Sequence, residues 1–317
     1  MSLADTNKRT LVYKEIGQLQ LKLDITALPR TAARSIAVIH LHGGFLVIGD
    51  RKTFEPEWLI KGCATRSWTY VSPDYRLLPE ATGVDALSDV LAAYAWVVEN
   101  VSPRVVLAGS SAGGYLAVTA AAVLSSTPNP PLAVLSVYGI SDFASKRFIT
   151  KGTPLTGPPS ENTATIESLS KAAESGEALS GSAFVFDPND TRMGYIFTLH
   201  QEALFPDILT RSKGLAAEIA KKGIQAIPEH QRVLFPVATG LPKTYPSTVL
   251  LHGTDDHLVA YEQSQYLKQV LEELGIAVHL EGVEGADHGF DVRPGLSPAV
   301  LASLETVLEK LDSIVKL

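Results

Sequence analysis

Arg104-Val105-Val106-Leu107-Ala108-Gly109-Ser110-Ser111-Ala112-Gly113 is the stretch on which the fold of this 317-residue chain turns. Residues 104–108 are a short, β-branched apolar run, the pattern of a buried strand. Residues 115–124, rich in Ala and Leu with no Gly or Pro, read as a helix. Gly109-x-Ser111-x-Gly113 therefore falls on a strand-to-helix turn. Such a turn holds its serine on a strained backbone, and larger residues at 109 or 113 would crowd it. The motif occurs once in the chain. A glycine-rich turn with a capping serine has the same local appearance, so the rest of the chain must decide.

Upstream, a short amphipathic opening (11–28) precedes an apolar strand at 36–41, which ends at His42-Gly43-Gly44-Phe45. A helix is expected at 53–66 with Phe54, Trp58, Leu59 and Cys63 on its buried side. A strand at 69–71, stopped by Ser72-Pro73, and a helix at 85–98 lead back to the serine motif. Beyond it lies a strand at 132–137. This alternation of apolar strands and helices predicts an α/β fold, with a mostly parallel sheet covered by helices on both faces.

The alternation fails between 142 and 246. That stretch holds a Gly/Pro-rich run at 152–159, a polar helix at 163–175 and Asp187-Pro188-Asn189-Asp190. An aromatic helix at 192–203 and a further helix at 212–222 follow. No apolar strand interrupts it, so 143–245 reads as an inserted helical cap on a core made of 1–142 and 246–317. The α/β pattern returns with a strand at 248–251, a helix at 261–274, a strand at 276–280 and an amphipathic helix at 297–315.

Composition narrows the partners. The chain is 45% hydrophobic, enough for a large core, and carries a net charge of −7. That charge, with no basic run, argues against nucleic acid or an anionic membrane as a partner. The apolar runs are too short to span a bilayer, and the polar residues 1–10 lack the apolar centre of a signal peptide. A cytoplasmic location is expected. The single cysteine, Cys63, cannot form an internal disulfide and reads as a packing residue. No metal or cofactor is implied, and a homodimer is compatible with the sequence.

Serine is a weak nucleophile at neutral pH and needs a hydrogen-bonded base, itself oriented by a carboxylate. Both follow in order. Asp255 and Asp256 stand in His252-Gly253-Thr254-Asp255-Asp256-His257, just after the strand at 248–251. His288 stands in Glu284-Gly285-Ala286-Asp287-His288-Gly289-Phe290, after the last strand. In an open parallel sheet the carboxyl ends of the strands share one edge, so these loops can converge on Ser111. A tetrahedral intermediate further needs preorganised N–H donors for its negative oxygen. Ala112, next to the nucleophile, supplies one, and the loop Gly43-Gly44-Phe45 is expected to supply the others.

Together these residues resemble the α/β-hydrolase superfamily, and within it the hormone-sensitive-lipase-like carboxylesterases. Residues 42–50 look like that family's His-Gly-Gly-Gly-Phe-Val-x-Gly-Asp loop. Pro73-Asp74-Tyr75-Arg76-Leu77-Leu78-Pro79-Glu80 looks like the segment that buttresses it. Residues 109–114 match the elbow and Asp287-His288-Gly289-Phe290 the histidine loop. The resemblance implies a Ser111–His288–Asp256 triad, with Asp255 as the alternate acid, acting on a small-molecule ester. The substrate surface is expected from Phe45, Ser110, Tyr138, Tyr195, His257 and Leu258. Two departures stand out. Phe45 replaces the third glycine, so its ring either enters the pocket or restricts the loop. Asp256-His257-Leu258 replaces Asp-Pro-Leu.

Other activities compete on the same residues. An amidase or peptidase, a thioesterase or a lactonase would use the same triad. A ligand-binding receptor of this fold is the reading of a different class, and the presence of His288 in its full loop argues against it.

Overall fold

Eight strands form one sheet: β1 (Asn7–Ile16), β2 (Leu19–Ala27), β3 (Ala37–Leu41), β4 (Thr69–Pro73), β5 (Val105–Ser110), β6 (Ala133–Val137), β7 (Thr248–Gly253) and β8 (Val278–Val283). Their spatial order is β1-β2-β4-β3-β5-β6-β7-β8. These are the findings of a computed structural model that describes residues 7–27, 35–152, 155, 162–185, 187 and 189–316. From β4 to β8 every pairing is parallel, while β1 and β2 join the edge antiparallel.

The middle strands β3 to β7 are buried along their whole length, which is why they read as continuous apolar runs. Side chains alternate across the pleat and feed two cores. Val105 and Leu107 enter one, Val106 and Ala108 the other. On the first face lie α2 (Gly83–Asn100) and α3 (Ala112–Leu124). On the second lies α1 (Glu57–Thr65), whose Trp58, Leu59 and Cys63 join that core.

Between β6 and β7 the chain forms α4 (Lys146–Ile149), α5 (Thr163–Ser175), α6 (Thr191–Gln201), α7 (Phe205–Thr210), α8 (Leu215–Lys222) and α9 (Pro236–Thr239). Their buried residues, including Phe148, Met193, Leu199 and Phe205, are continuous with the first core. A single bridge, Gly49 to Ser182, is the one extended pairing this stretch makes among the described residues. The expected Gly/Pro-rich run at 152–159 lies mostly outside the described residues. Past β7, α10 (Glu262–Glu273) returns to the first face and α11 (Pro298–Val315) to the second. No described helix is long and apolar enough to cross a membrane.

The amphipathic opening is a β-hairpin, β1–β2, with Leu21, Leu23 and Ile25 buried on alternate positions. Two local readings are corrected. The helix expected from 53 begins only at Glu57 behind Pro56, which leaves Phe54 outside it, 49% exposed and at φ 50°. The last strand is Val278–Val283, so it runs closer to His288 than 276–280 implied.

Candidate active site

Ser111 stands between β5 and α3 at φ 57°, ψ −122°, a conformation most side chains avoid. Its backbone is held on every side. Its N–H donates to Val137 O, and its carbonyl accepts from Gly114 and Ile140. The glycines are obligatory for packing. A Cβ on Gly109 would stand 2.1 Å from Gly113 O, and one on Gly113 would stand 2.0 Å from Leu41 O. The first residue of α3 is Ala112, whose N–H has no acceptor within the helix.

Gly43 lies directly against the serine: a Cβ there would come within 3.1 Å of Ser111 Cβ. The loop then turns sharply, with Val47 and Ile48 N–H both donating to Gly44 O. Gly44 sits at φ 106°, and a Cβ on it would meet Ile48 O at 2.1 Å. Phe45 and Leu46 follow at φ 54° and 63°. Non-glycine residues rarely adopt this region, and the Phe45 ring shows what holds it there. Its edge meets His200 with centroids 4.6 Å apart, and it also faces Phe205 at 5.9 Å. The ring thus both packs against α6 and α7 and lines the cavity.

The segment 73–80 braces this loop from behind. Tyr75 Oη donates to His42 O at 2.7 Å, its ring stacks on His42, and Leu78 N–H donates to Leu46 O. Burial drives the His42 imidazole down to about 4, offset in part by the Gly43 carbonyl and Asp50. His40 is likewise lowered to about 3 by burial, with His42 adding to the effect, and its Nε2 lies 2.9 Å from Ser110 Oγ.

Asp256 and His288 meet at the carboxyl ends of β7 and β8. Nδ1 of His288 is 2.6 Å from Asp256 Oδ2. The other oxygen of Asp256 accepts from the N–H groups of Leu258 and Val259, and His252 Nε2 lies 3.3 Å from Oδ2. Burial alone would raise this carboxyl, but the bonds from His252 and His288 outweigh it and hold Asp256 well below the usual carboxylate range. The two loops are zipped together. Asp255 N–H donates to Ala286 O, and a Cβ on Gly253 would stand 2.2 Å from the same oxygen. Asp255 itself is exposed, so the Asp255 alternate loses to Asp256 on geometry.

Ser111 and His288 both line one cavity of about 350 Å³, together with Gly43, Gly44, Phe45 and Ser110. With Nδ1 engaged by Asp256, Nε2 is the imidazole nitrogen left for the serine. Tyr138 and Leu258 also line the cavity as expected. Tyr195 and His257 are not among its described lining residues. The Tyr195 hydroxyl turns back to Ser168 at 2.8 Å, because α6 packs that face on α5. The His257 side chain is 80% exposed beside Asp287. In their place α6 presents Met193, Ile196 and Phe197 to the cavity, and the histidine loop presents Val292, Arg293 and Pro294. The helical repeat marked α6 as apolar without saying which face was inward. The loop residues carried no pattern at all.

Residues 38–177 match the α/β-hydrolase-fold family, a segment that includes the Gly43-Gly44-Phe45 loop, residues 73–80 and the turn at Ser111. The chain has the α/β-hydrolase fold. A superfamily protein of known structure from Enterococcus faecalis superposes with a TM-score of 0.66 over 98% of both chains at 21% identity. Lipase 2 of Moraxella sp. is 45% identical over 94 residues, 28% of this chain and 22% of the lipase. The non-reducing polyketide synthase pkbA of Emericella nidulans is 27% identical over 334 residues, covering 91% of this chain. The chain spans only 13% of that synthase's length.

Proposed function

We propose that this α/β hydrolase cleaves carboxylic esters of small to medium, rather apolar substrates through an acyl-enzyme on Ser111. The observation that carries the reading is the 2.6 Å contact of His288 Nδ1 with the buried Asp256, above a cavity that Ser111 also lines. In the first step His288 Nε2 takes the Ser111 proton as Oγ adds to the ester carbonyl. The negative oxygen that forms is met by the N–H of Ala112 and by those of the Gly43-Gly44-Phe45 loop. The imidazolium, steadied by Asp256, returns the proton to the leaving alkoxide and the alcohol departs. Water then repeats the sequence on the acyl-enzyme and releases the acid. The cavity lies at the small end of the roughly 300–1,000 Å³ range of small-molecule sites, so compact acyl groups fit best. Hydrolysis of p-nitrophenyl esters by the wild type and by Ser111→Ala tests the reading. The variant is expected to lose on the order of 10⁴-fold or more in kcat.

A second reading has one observation in its favour. The polyketide synthase match extends over nearly the whole chain, cap included, whereas the lipase match covers little more than a quarter of it. Polyketide assembly holds its acyl chains as thioesters, and the same triad attacks a thioester carbonyl with a thiolate as the leaving group. Comparing an oxygen ester with the thioester of the same acyl group separates the two. A kcat/KM more than about tenfold higher for the thioester would favour the second.

A further inference from the structure

We infer that Asp291 is a positioning residue for the base, acting through Tyr138; the inference rests on the proposed role of His288. Asp291 lies three residues past His288 and is 3% exposed. Each of its oxygens accepts from an aromatic side chain, and its own backbone N–H also bears on the carboxyl. Trp58 Nε1 donates to Oδ2 at 2.8 Å, and Tyr138 Oη donates to Oδ1 at 2.7 Å. An indole N–H can only donate, so the carboxyl must present a bare oxygen to it. The Tyr138 ring, thus tethered, lies against the His288 imidazole with centroids 4.5 Å apart and planes at 55°. Phe290 flanks it at 5.9 Å. The backbone supports the same pose: Tyr138 follows β6 at φ 38°, its N–H donating to Leu251 O at 2.6 Å.

A buried carboxylate facing only neutral donors is costly, and an apolar residue would pack there at less expense. What the carboxylate supplies is a fixed wall. The phenol cannot rotate without breaking its bond to Asp291, so the imidazole keeps one face covered while Asp256 holds its edge. Asp291 also adds a second negative group beside the imidazolium that forms during proton transfer. The pairing joins three separate elements: α1 through Trp58, the end of β6 through Tyr138 and the histidine loop. Burial raises the Asp291 carboxyl, against the bonds from Tyr138 and Trp58.

The groups that bear on His288 are few. Asp256, backed by His252, comes from the loop after β7. Asp287 and Arg293 flank it within its own loop, with His257 reaching Asp287. Tyr138 and Asp291 close the remaining side. Replacing Asp291 by Asn keeps the shape: the amide oxygen can still accept from Trp58 while its NH₂ faces the Tyr138 oxygen. The variant removes charge and tether direction without opening a hole.

The test compares wild type, Asp291→Asn and Tyr138→Phe. Near-ultraviolet circular dichroism and cooperative urea unfolding establish that each is folded. Histidine NMR titrations, with His288 assigned through His288→Gln, read the base independently of turnover. In Asp291→Asn the His288 titration and the acid limb of kcat/KM are expected to move together to lower pH, by about half a unit or more. The kcat should fall at least tenfold with KM changed less than threefold. Tyr138→Phe keeps the ring and loses only the tether, and should lose kcat without the same shift in the titration. A folded Asp291→Asn whose His288 titration and kcat match the wild type overturns the inference. If instead the wild type itself hydrolyses no ester or thioester, the reading of the site fails, and the NMR titration still decides whether Asp291 acts on His288.

Discussion

The edge of the Phe45 ring meets the His200 ring with centroids 4.6 Å apart, so the loop that lies against Ser111 is tied to α6 by an aromatic contact. The ring's burial among His200 and Phe205 offsets the cost of holding Phe45 at φ 54°. Phe45→Gly relieves that backbone but deletes the contact. We expect it to lower stability by about 2–4 kcal/mol, a typical cost of emptying a large buried side chain less the relief of strain. We also expect the preferred acyl length to rise. In a p-nitrophenyl series from acetate to palmitate the wild type should peak at C2–C6 and the variant higher. A wild-type peak at dodecanoate or longer would defeat this account of the pocket.

Asp256→Asn should cost a large part of kcat, on the order of 10³-fold or more, because the imidazole loses the partner that fixes its tautomer. Asp255→Asn should cost less than about threefold, since that side chain is exposed. Equal losses at the two positions would place the acid elsewhere.

How much of this was legible follows from what each signal depends on. The elbow and the strands β3 to β7 read directly, because a fully buried parallel strand is a continuous apolar run and the elbow needs glycines at fixed spacing. The histidine and acid loops read from their places after β8 and β7. The β1–β2 hairpin did not, because its polar face and the buried Asp24 blur the alternation. Tyr195, expected at the cavity, lies on the face of α6 that packs on α5, since a helical repeat fixes which residues share a face but not which face is inward. The Trp58–Asp291–Tyr138 arrangement joins residues up to 233 positions apart and has no local signature.

The buried histidines predict acid sensitivity. His40 and His200 are lowered to about 3 and His42 to about 4, all mainly by burial. Each binds a proton more readily unfolded than folded. Its contribution to stability is full above the ordinary histidine range and is lost as pH falls from about 6.5 towards those values. Asp142, raised by burial to about 6, works the other way over part of that window. Urea titrations at pH 7 and pH 5 should therefore show a loss of several kcal/mol, and His200→Leu should flatten the dependence. A stability unchanged between pH 7 and pH 5 would contradict the buried neutral imidazoles.

Gly113→Ala tests the elbow without touching a reacting group. Its Cβ would stand 2.0 Å from Leu41 O and 2.5 Å from His42 O, both backbone. Neither atom can give way without moving β3, so a loss of at least about 3 kcal/mol or failure to fold is expected. A variant as stable as the wild type would mean that the turn is looser than described.

Labelling with a fluorophosphonate, followed by mass spectrometry of the peptide that spans the elbow, tests the central claim most directly. The account predicts stoichiometric modification on Ser111 and not Ser110, abolished in Ser111→Ala and strongly slowed in His288→Gln. An unlabelled wild-type protein, or label that persists in Ser111→Ala, would contradict it.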